Sequence, residues 1–352
     1  MRRTLPRIII CIVVSATLLM LSGAGGGGEA IETPFFIVNQ DGLVVTEAPS
    51  DRHEISVFIF PPLREINWES PSALLRSVHW NFRRNLFRRD HYLIGHLAVG
   101  LSSPLLEGPV ITGMTSADSK ERTVLVMDEM VGLSILGAPM RGTMETSDEL
   151  LRMINVHHER EMLGILTFGV TEAGMRRVIT FLEIFNREDS YGHRPSDHYG
   201  GAFWPRYYRE GSGCSAFAAA ILDVAGVLPA DTTDWIVRRN IDIELAGGII
   251  NRGRKIPNYR IMRRSAWHSG QGEPNVDFVK VSLYDPEKMY KWIDNYIGVD
   301  NDTIRHFSGY GIKGIYFDRS ASPVDTTAPI FMERPEPNLF IDHFMKDLPG
   351  GQ

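Results

Sequence analysis

Apolar positions change spacing several times along the chain. In residues 34–45 (PFFIVNQDGLVV) two short apolar runs flank Gln40-Asp41-Gly42, a hairpin signal. Residues 54–60 (EISVFIF) predict a third strand. Ser70-Pro71 then opens a helix, with serine at the N-cap and proline in the first turn, and Leu74, Leu75, Val78, Phe82 and Leu86 recur at helical spacing. Residues 92–101 (YLIGHLAVGL), 109–113 and 123–128 predict further strands, so an antiparallel sheet is expected in this part of the chain. Helical spacing returns after Thr146, and Val178, Phe181, Leu182 and Phe185 form an apolar stripe. A polar, glycine-containing loop over 186–213 leads into a strong helix that starts near Cys214 and stops near Gly226, ahead of Pro229. Beyond Pro229 the pattern is mixed: 276–283 predicts a strand, 286–296 a helix and 312–317 a strand, while 335–337 and the terminal glycines read as tail.

The first thirty residues have a different logic. Arg2, Arg3 and Arg7 precede an apolar run over 8–21, and Ser22-Gly23-Ala24 supplies small residues at a cleavage site, the layout of a secretory signal peptide. The run is short for the roughly 20 residues of a membrane span, and an uncleaved anchor is the alternative. The expected division is therefore a signal peptide over 1–24, a catalytic domain over 25–229, and an α+β extension or second domain over 230–352. The mature protein is expected in the periplasm or outside the cell, touching membrane only through an uncleaved leader.

Composition narrows the chemistry. The chain has 352 residues, a net charge of −6 and two cysteines. Cleavage after Ala24 removes three arginines and no acids, so the charge moves to −9. A nucleic-acid partner is not expected, because phosphate contacts need a basic face. The short run Arg83, Arg84, Arg88 and Arg89 reads as a solvated face or as a patch for an acidic substrate. Cleavage also removes Cys11 and leaves Cys214 as the sole thiol, which in an oxidising compartment has no internal partner.

Cys214 stands at the start of its helix, behind Gly211-Ser212-Gly213, with Phe217, Ala218, Ile221, Leu222 and Ala225 on one apolar face. Free amides and the positive end of the helix dipole favour an anion there, which lowers a thiol pKa and makes Cys214 a candidate nucleophile. Its backbone amide is also positioned to donate to a developing oxyanion. The competing reading is a small buried residue beside Ala218, Ala219 and Ala220. Trp204, Tyr207 and Tyr208, just upstream, either wall a substrate groove or join the core; with Ser215 they are the candidate substrate-binding residues.

Tyr199-Gly200-Gly201, Cys214-Ser215-Ala216-Phe217 and Ala225-Gly226-Val227-Leu228-Pro229 together resemble the nucleophile block of the NlpC-type, papain-like cysteine peptidases. The likeness covers about thirty residues, and Gly213 stands where that family usually has aspartate. The resemblance implies an α+β fold, an antiparallel sheet packed on the nucleophile helix, a histidine base, and no cofactor or metal. It implies a cell-wall peptide amide as substrate, with an ester or an acyl acceptor as alternatives. A non-catalytic binding protein of the same fold is a further alternative.

No histidine strand of the usual kind follows Cys214, although His268 and His306 lie in polar contexts. Upstream, residues 94–101 (IGHLAVGL) resemble the histidine strand of circularly permuted papain-like proteins, which makes His96 the expected base and His268 the alternative. On a strand His96 shares a face with Ala98 and Gly100, so the Cys214 helix is expected to pack on that small-residue face. The expected orienting group is Thr112, with Glu107 and Asp118 as acidic alternatives. His193, Asp197 and His198 precede the thiol in the glycine loop and either line the cleft or face solvent. His157-His158-Glu159 lacks the spacing of a zinc peptidase helix, and no metal is expected.

Overall fold

A computed structural model describes residues 36–38, 44–46, 51–85, 92–309 and 312–348. The proposed leader, Leu86, Arg88 and Arg89 lie outside these residues.

The described residues begin with the antiparallel pair β1 (Phe36–Val38) and β2 (Val44–Thr46). The chain continues through β3 (Glu54–Phe60), α1 (Pro71–Asn85), β4 (His96–Ser102), β5 (Val110–Thr112) and β6 (Met114–Ser116). Then come α2 (Ser119–Thr123), β7 (Met140–Met144), α3 (Ser147–Glu159), β8 (Leu163–Gly169), α4 (Glu172–Phe185) and β9 (His198–Tyr199). The helix that begins at Cys214 is α5 (Cys214–Val224). The last third holds β10 (Ile236–Asp242), α6 (Asn258–Met262), β11 (Phe278–Tyr284), α7 (Pro286–Trp292), β12 (Asp300–Asn301), β13 (Ile304–Gly309), β14 (Ile312–Asp318) and α8 (Leu339–Asp347).

The fold is α+β. Seven strands form the central sheet in the order β12-β13-β14-β8-β3-β4-β5. The sheet is mixed: β14 runs parallel to β8 while its other pairs are antiparallel, which corrects the expectation of an antiparallel sheet. A parallel pair needs a long crossover, and here the chain travels from residue 169 to 312 before β14 docks. Residues beyond Pro229 therefore complete the central sheet, and the described residues belong to one compact unit spanning Thr33–Gln352. A three-stranded sheet, β6-β7-β9, and the β10–β11 ribbon flank it.

Helix starts follow local hydrogen-bonding chemistry. The Ser70 hydroxyl accepts from the Ala73 amide ahead of α1, and the Thr171 hydroxyl accepts from Gly174 ahead of α4. Residues 123–128 are not the expected strand. The Asp118 carboxylate caps α2 by accepting from the Lys120 amide, and the helix continues as one π turn over Val124–Asp128, closed by Glu129 N–H donating to the Val124 carbonyl. The apolar run Val124–Met127 there leaves Val124 and Met127 exposed.

Two apolar layers sandwich the sheet. On one side Leu97, Val99 and Leu101 of β4 pack with Phe217, Ala218 and Ile221 of α5 and with Val178 and Phe181 of α4. On the other, Ala98 packs with Phe58 and Phe60 of β3 and with Leu150 and Ile154 of α3. The helix bearing Cys214 thus covers the leucine–valine face of β4, not the Ala98 face that the small-residue argument favoured. Bulky apolar side chains bury more area against α5 than alanine and glycine do.

Candidate active site

The site forms where the first residue of β4 meets the first residue of α5. Gly95, at φ +81°, turns the chain into β4, a conformation that β-carbon sterics disfavour for other residues. His96 follows at the strand's first position, paired across to Phe60. Its ring stacks on Tyr92 and lies beside the thiol, close enough that each group shifts the other's pKa.

Cys214 is 8 % exposed and is the free cysteine of the described residues. Gly213 occupies the N-cap in an extended conformation with no side-chain cap, so no side chain takes up the first-turn amides of α5. The Ser215 hydroxyl lies 3.7 Å from the sulfur, and the Tyr199 hydroxyl donates to it at 3.8 Å. Tyr199 is held there by β9, which pairs with β7 through Met140.

The third member is Glu145. Its Oε2 lies 2.6 Å from His96 Nε2, with both side chains almost fully buried. That contact leaves Nδ1 as the ring nitrogen for the sulfur. Glu145 follows β7 directly and precedes the Thr146 N-cap of α3. Its amide donates to the Gly113 carbonyl at 2.9 Å, and a β-carbon on Gly113 would stand 2.7 Å from Oε2.

Thr112 is thus corrected: its hydroxyl donates to the Glu145 backbone carbonyl at 3.4 Å and supports the carboxylate's segment, while the imidazole's partner is Glu145. Of the two acidic alternatives, Asp118 caps α2 and pairs with Arg141, and the carboxylate on His96 Nε2 is Glu145, not Glu107. Nothing in the local sequence marks Glu145. Only the pairing of β6 with β7, together with the short β5–β6 corner, delivers it.

The electrostatics follow from this geometry. Burial pushes the Cys214 thiol up, but the His96 charge, hydrogen bonds from His96 and Ser215, and the Leu97 backbone N–H outweigh it and hold the thiol below its ordinary value. Burial pulls the His96 imidazolium down, but Cys214 and Glu145 outweigh it and hold it above the ordinary histidine value. Both directions favour a thiolate beside an imidazolium. Burial and the neighbouring sulfur keep the Tyr199 phenol protonated, well above its usual value, so it remains a donor.

The remaining candidates divide. Trp204 stacks on Tyr284 with centroids 5.6 Å apart, and Tyr207 lies under the Arg334 guanidinium; both line a cavity of about 890 Å³ between α5 and the β10–β11 ribbon. Tyr208 is exposed, stacks on Phe331 and does not line that cavity. His268 stacks on Phe278, accepts from the Gly270 amide and lines the same cavity, so it is His96 that meets the sulfur. His193 stacks on His198, which in turn packs edge-on against Phe344. Arg84 and Arg64 both sit over the Trp80 ring. Among the described residues, no group of three His, Cys, Asp or Glu side chains is arranged to hold a metal ion, and no helix is long and apolar enough to cross a membrane.

Compared with family models, with curated proteins and with solved structures, the chain matches none.

Proposed function

We propose that this chain is an exported thiol hydrolase that cleaves amide or ester bonds through Cys214, His96 and Glu145. The observation that carries the reading is the buried chain of contacts from sulfur to imidazole to carboxylate. A nucleophile, a base and an orienting group within hydrogen-bond reach are what acyl transfer requires. The order of the residues, with base and carboxylate ahead of the nucleophile, supports a permuted papain-like arrangement, and the likeness around Cys214 favours a cell-wall peptide amide over a lipid ester.

The chemistry has two halves. The Cys214 thiolate attacks the carbonyl carbon, forming an S–C bond and an oxyanion. The uncapped amides at the start of α5 and the Tyr199 hydroxyl are the donors nearest that charge. His96 gives its proton to the leaving amine or alcohol as the C–N or C–O bond breaks, which leaves an acyl thioester and a neutral imidazole. Water then attacks the thioester, His96 takes its proton, and the thiolate departs, restoring the ion pair and releasing the acid. Glu145 holds the ring and balances its charge through both halves.

The test compares wild type, Cys214→Ala and His96→Ala on muropeptides and on p-nitrophenyl acyl esters. Cleavage of one class by wild type, and its loss in both variants, is expected. Wild type inactive on both classes, or activity undiminished in Cys214→Ala, would overturn the reading.

A further inference from the structure

The cavity between α5 and the β10–β11 ribbon takes no part in the chemistry above, and the ribbon lies wholly outside the segments that resemble a known family. Antiparallel register decides what it presents. Arg238 pairs with Ser282 and Asn240 with Lys280, and residues directly opposite share a face. Those four residues line the cavity together with Arg239, Val279 and Val281, while Val237 and Ile241 do not line it and are buried.

The charges on this face are unbalanced. Arg238 and Lys280 are both exposed, and neither has a carboxylate partner among the described residues. Most other cations lining the cavity are engaged: Arg334 is held by Glu210, and Arg239 donates to the Trp68 carbonyl. Glu336, itself exposed, is the one carboxylate among the described lining residues. A chain of net charge −6 therefore concentrates free positive charge in one concave place. A guanidinium fork, an ammonium, an amide and a hydroxyl lie side by side, a donor set suited to a carboxylate or phosphate.

The wall beside them is aromatic. Trp204 and Tyr284 form a nearly parallel pair, 17° apart in plane, and Trp267 sits under Arg239. Flat faces next to free cations favour a ring-bearing ligand, and about 890 Å³ is within the range of small-molecule sites.

We propose that this cavity binds a ligand that carries an anionic group, a carboxylate or a phosphate, on a ring-bearing body. Arg238 and Lys280 take the anion, and Trp204 and Tyr284 take the ring. The site needs no thiol chemistry, so it is tested apart from the hydrolase reading.

The full chain is titrated calorimetrically with phenyl phosphate, 4-phenylbutyrate and the uncharged 4-phenylbutan-1-ol. At least one anion is expected to bind tenfold or more tighter than the alcohol, and the tighter anion identifies the group. Arg238→Gln and Lys280→Gln should each weaken anion binding fivefold or more and leave the alcohol unchanged. Both side chains are exposed, so neither substitution opens the core. The proposal is overturned by an alcohol that binds as tightly as both anions, by anion affinities indifferent to both substitutions, or by no saturable binding of any probe.

Discussion

Tyr92 lies flat against His96, with ring centroids 4.1 Å apart and planes 20° from parallel. An aromatic face beside an imidazolium stabilises the cation by about 0.5–2 kcal/mol. Tyr92→Leu is therefore expected to weaken the ion pair and to move the midpoint of Cys214 alkylation by iodoacetamide up by roughly half to one pH unit, whereas Tyr92→Phe should keep the wild-type profile. An unchanged profile in Tyr92→Leu would show that the stack does not tune the pair.

Glu145 and Thr112 make opposite predictions. Glu145→Gln keeps the shape and removes the charge facing His96 Nε2; a loss of roughly 10²–10⁴-fold in turnover is expected if the orienting group acts as in other triads. Thr112→Val removes one long hydrogen bond to a backbone carbonyl and should cost about 1 kcal/mol of stability or less, with activity largely retained. Steady-state kinetics on the same ester decides between them, since a Thr112→Val enzyme that fails while Glu145→Gln works would reverse the assignment.

Gly113 tests the same carboxylate from behind. Its added methyl group would stand 2.7 Å from Glu145 Oε2, so Gly113→Ala must displace the carboxylate. Gly108→Ala, where a β-carbon meets nothing within 4 Å, is the control. The expected result is lower turnover and a higher thiol pKa in Gly113→Ala alone; equal behaviour of the two variants would remove Glu145 from the mechanism.

Glu54 makes a prediction about stability. It is 1 % exposed, Tyr316 donates to one carboxylate oxygen at 3.5 Å, and the other oxygen has no partner. Burial raises its pKa to about 7. The folded state then binds a proton that the unfolded chain has released, so this contribution is complete below the unfolded value near 4.5 and is lost as pH rises through about 7. Its full size is roughly 3 kcal/mol. Glu54→Gln should flatten the fall in melting temperature between pH 5 and pH 8, and a wild-type fall that persists in the variant would assign it elsewhere.

Sequence spacing carried some parts of this molecule and missed others for identifiable reasons. The α5 start was legible because Gly211-Ser212-Gly213 ends a loop and the apolar residues after Cys214 hold helical spacing. His96 was legible as a strand residue, but not the side from which it reaches the sulfur, which depends on the helix choosing the Leu97 face. The central strand β8 escaped notice because Leu163–Gly169 is buried throughout and so shows no alternation. β10 was hidden by its adjacent arginines, of which Arg238 is exposed and Arg239 donates to the Trp68 carbonyl. Glu145 was invisible because its role depends on where three short strands bring it, and no local pattern records that.

The parallel seating of β14 against β8 has a temporal consequence. Cys214 precedes Ile312 by nearly a hundred residues, so the edge of β8 that β14 covers is completed only by a segment made well after it. The sheet that supports β4, and with it the imidazole, stays unfinished through that interval. Cys214, His96 and Glu145 are therefore all made before the strand that completes the sheet beneath them.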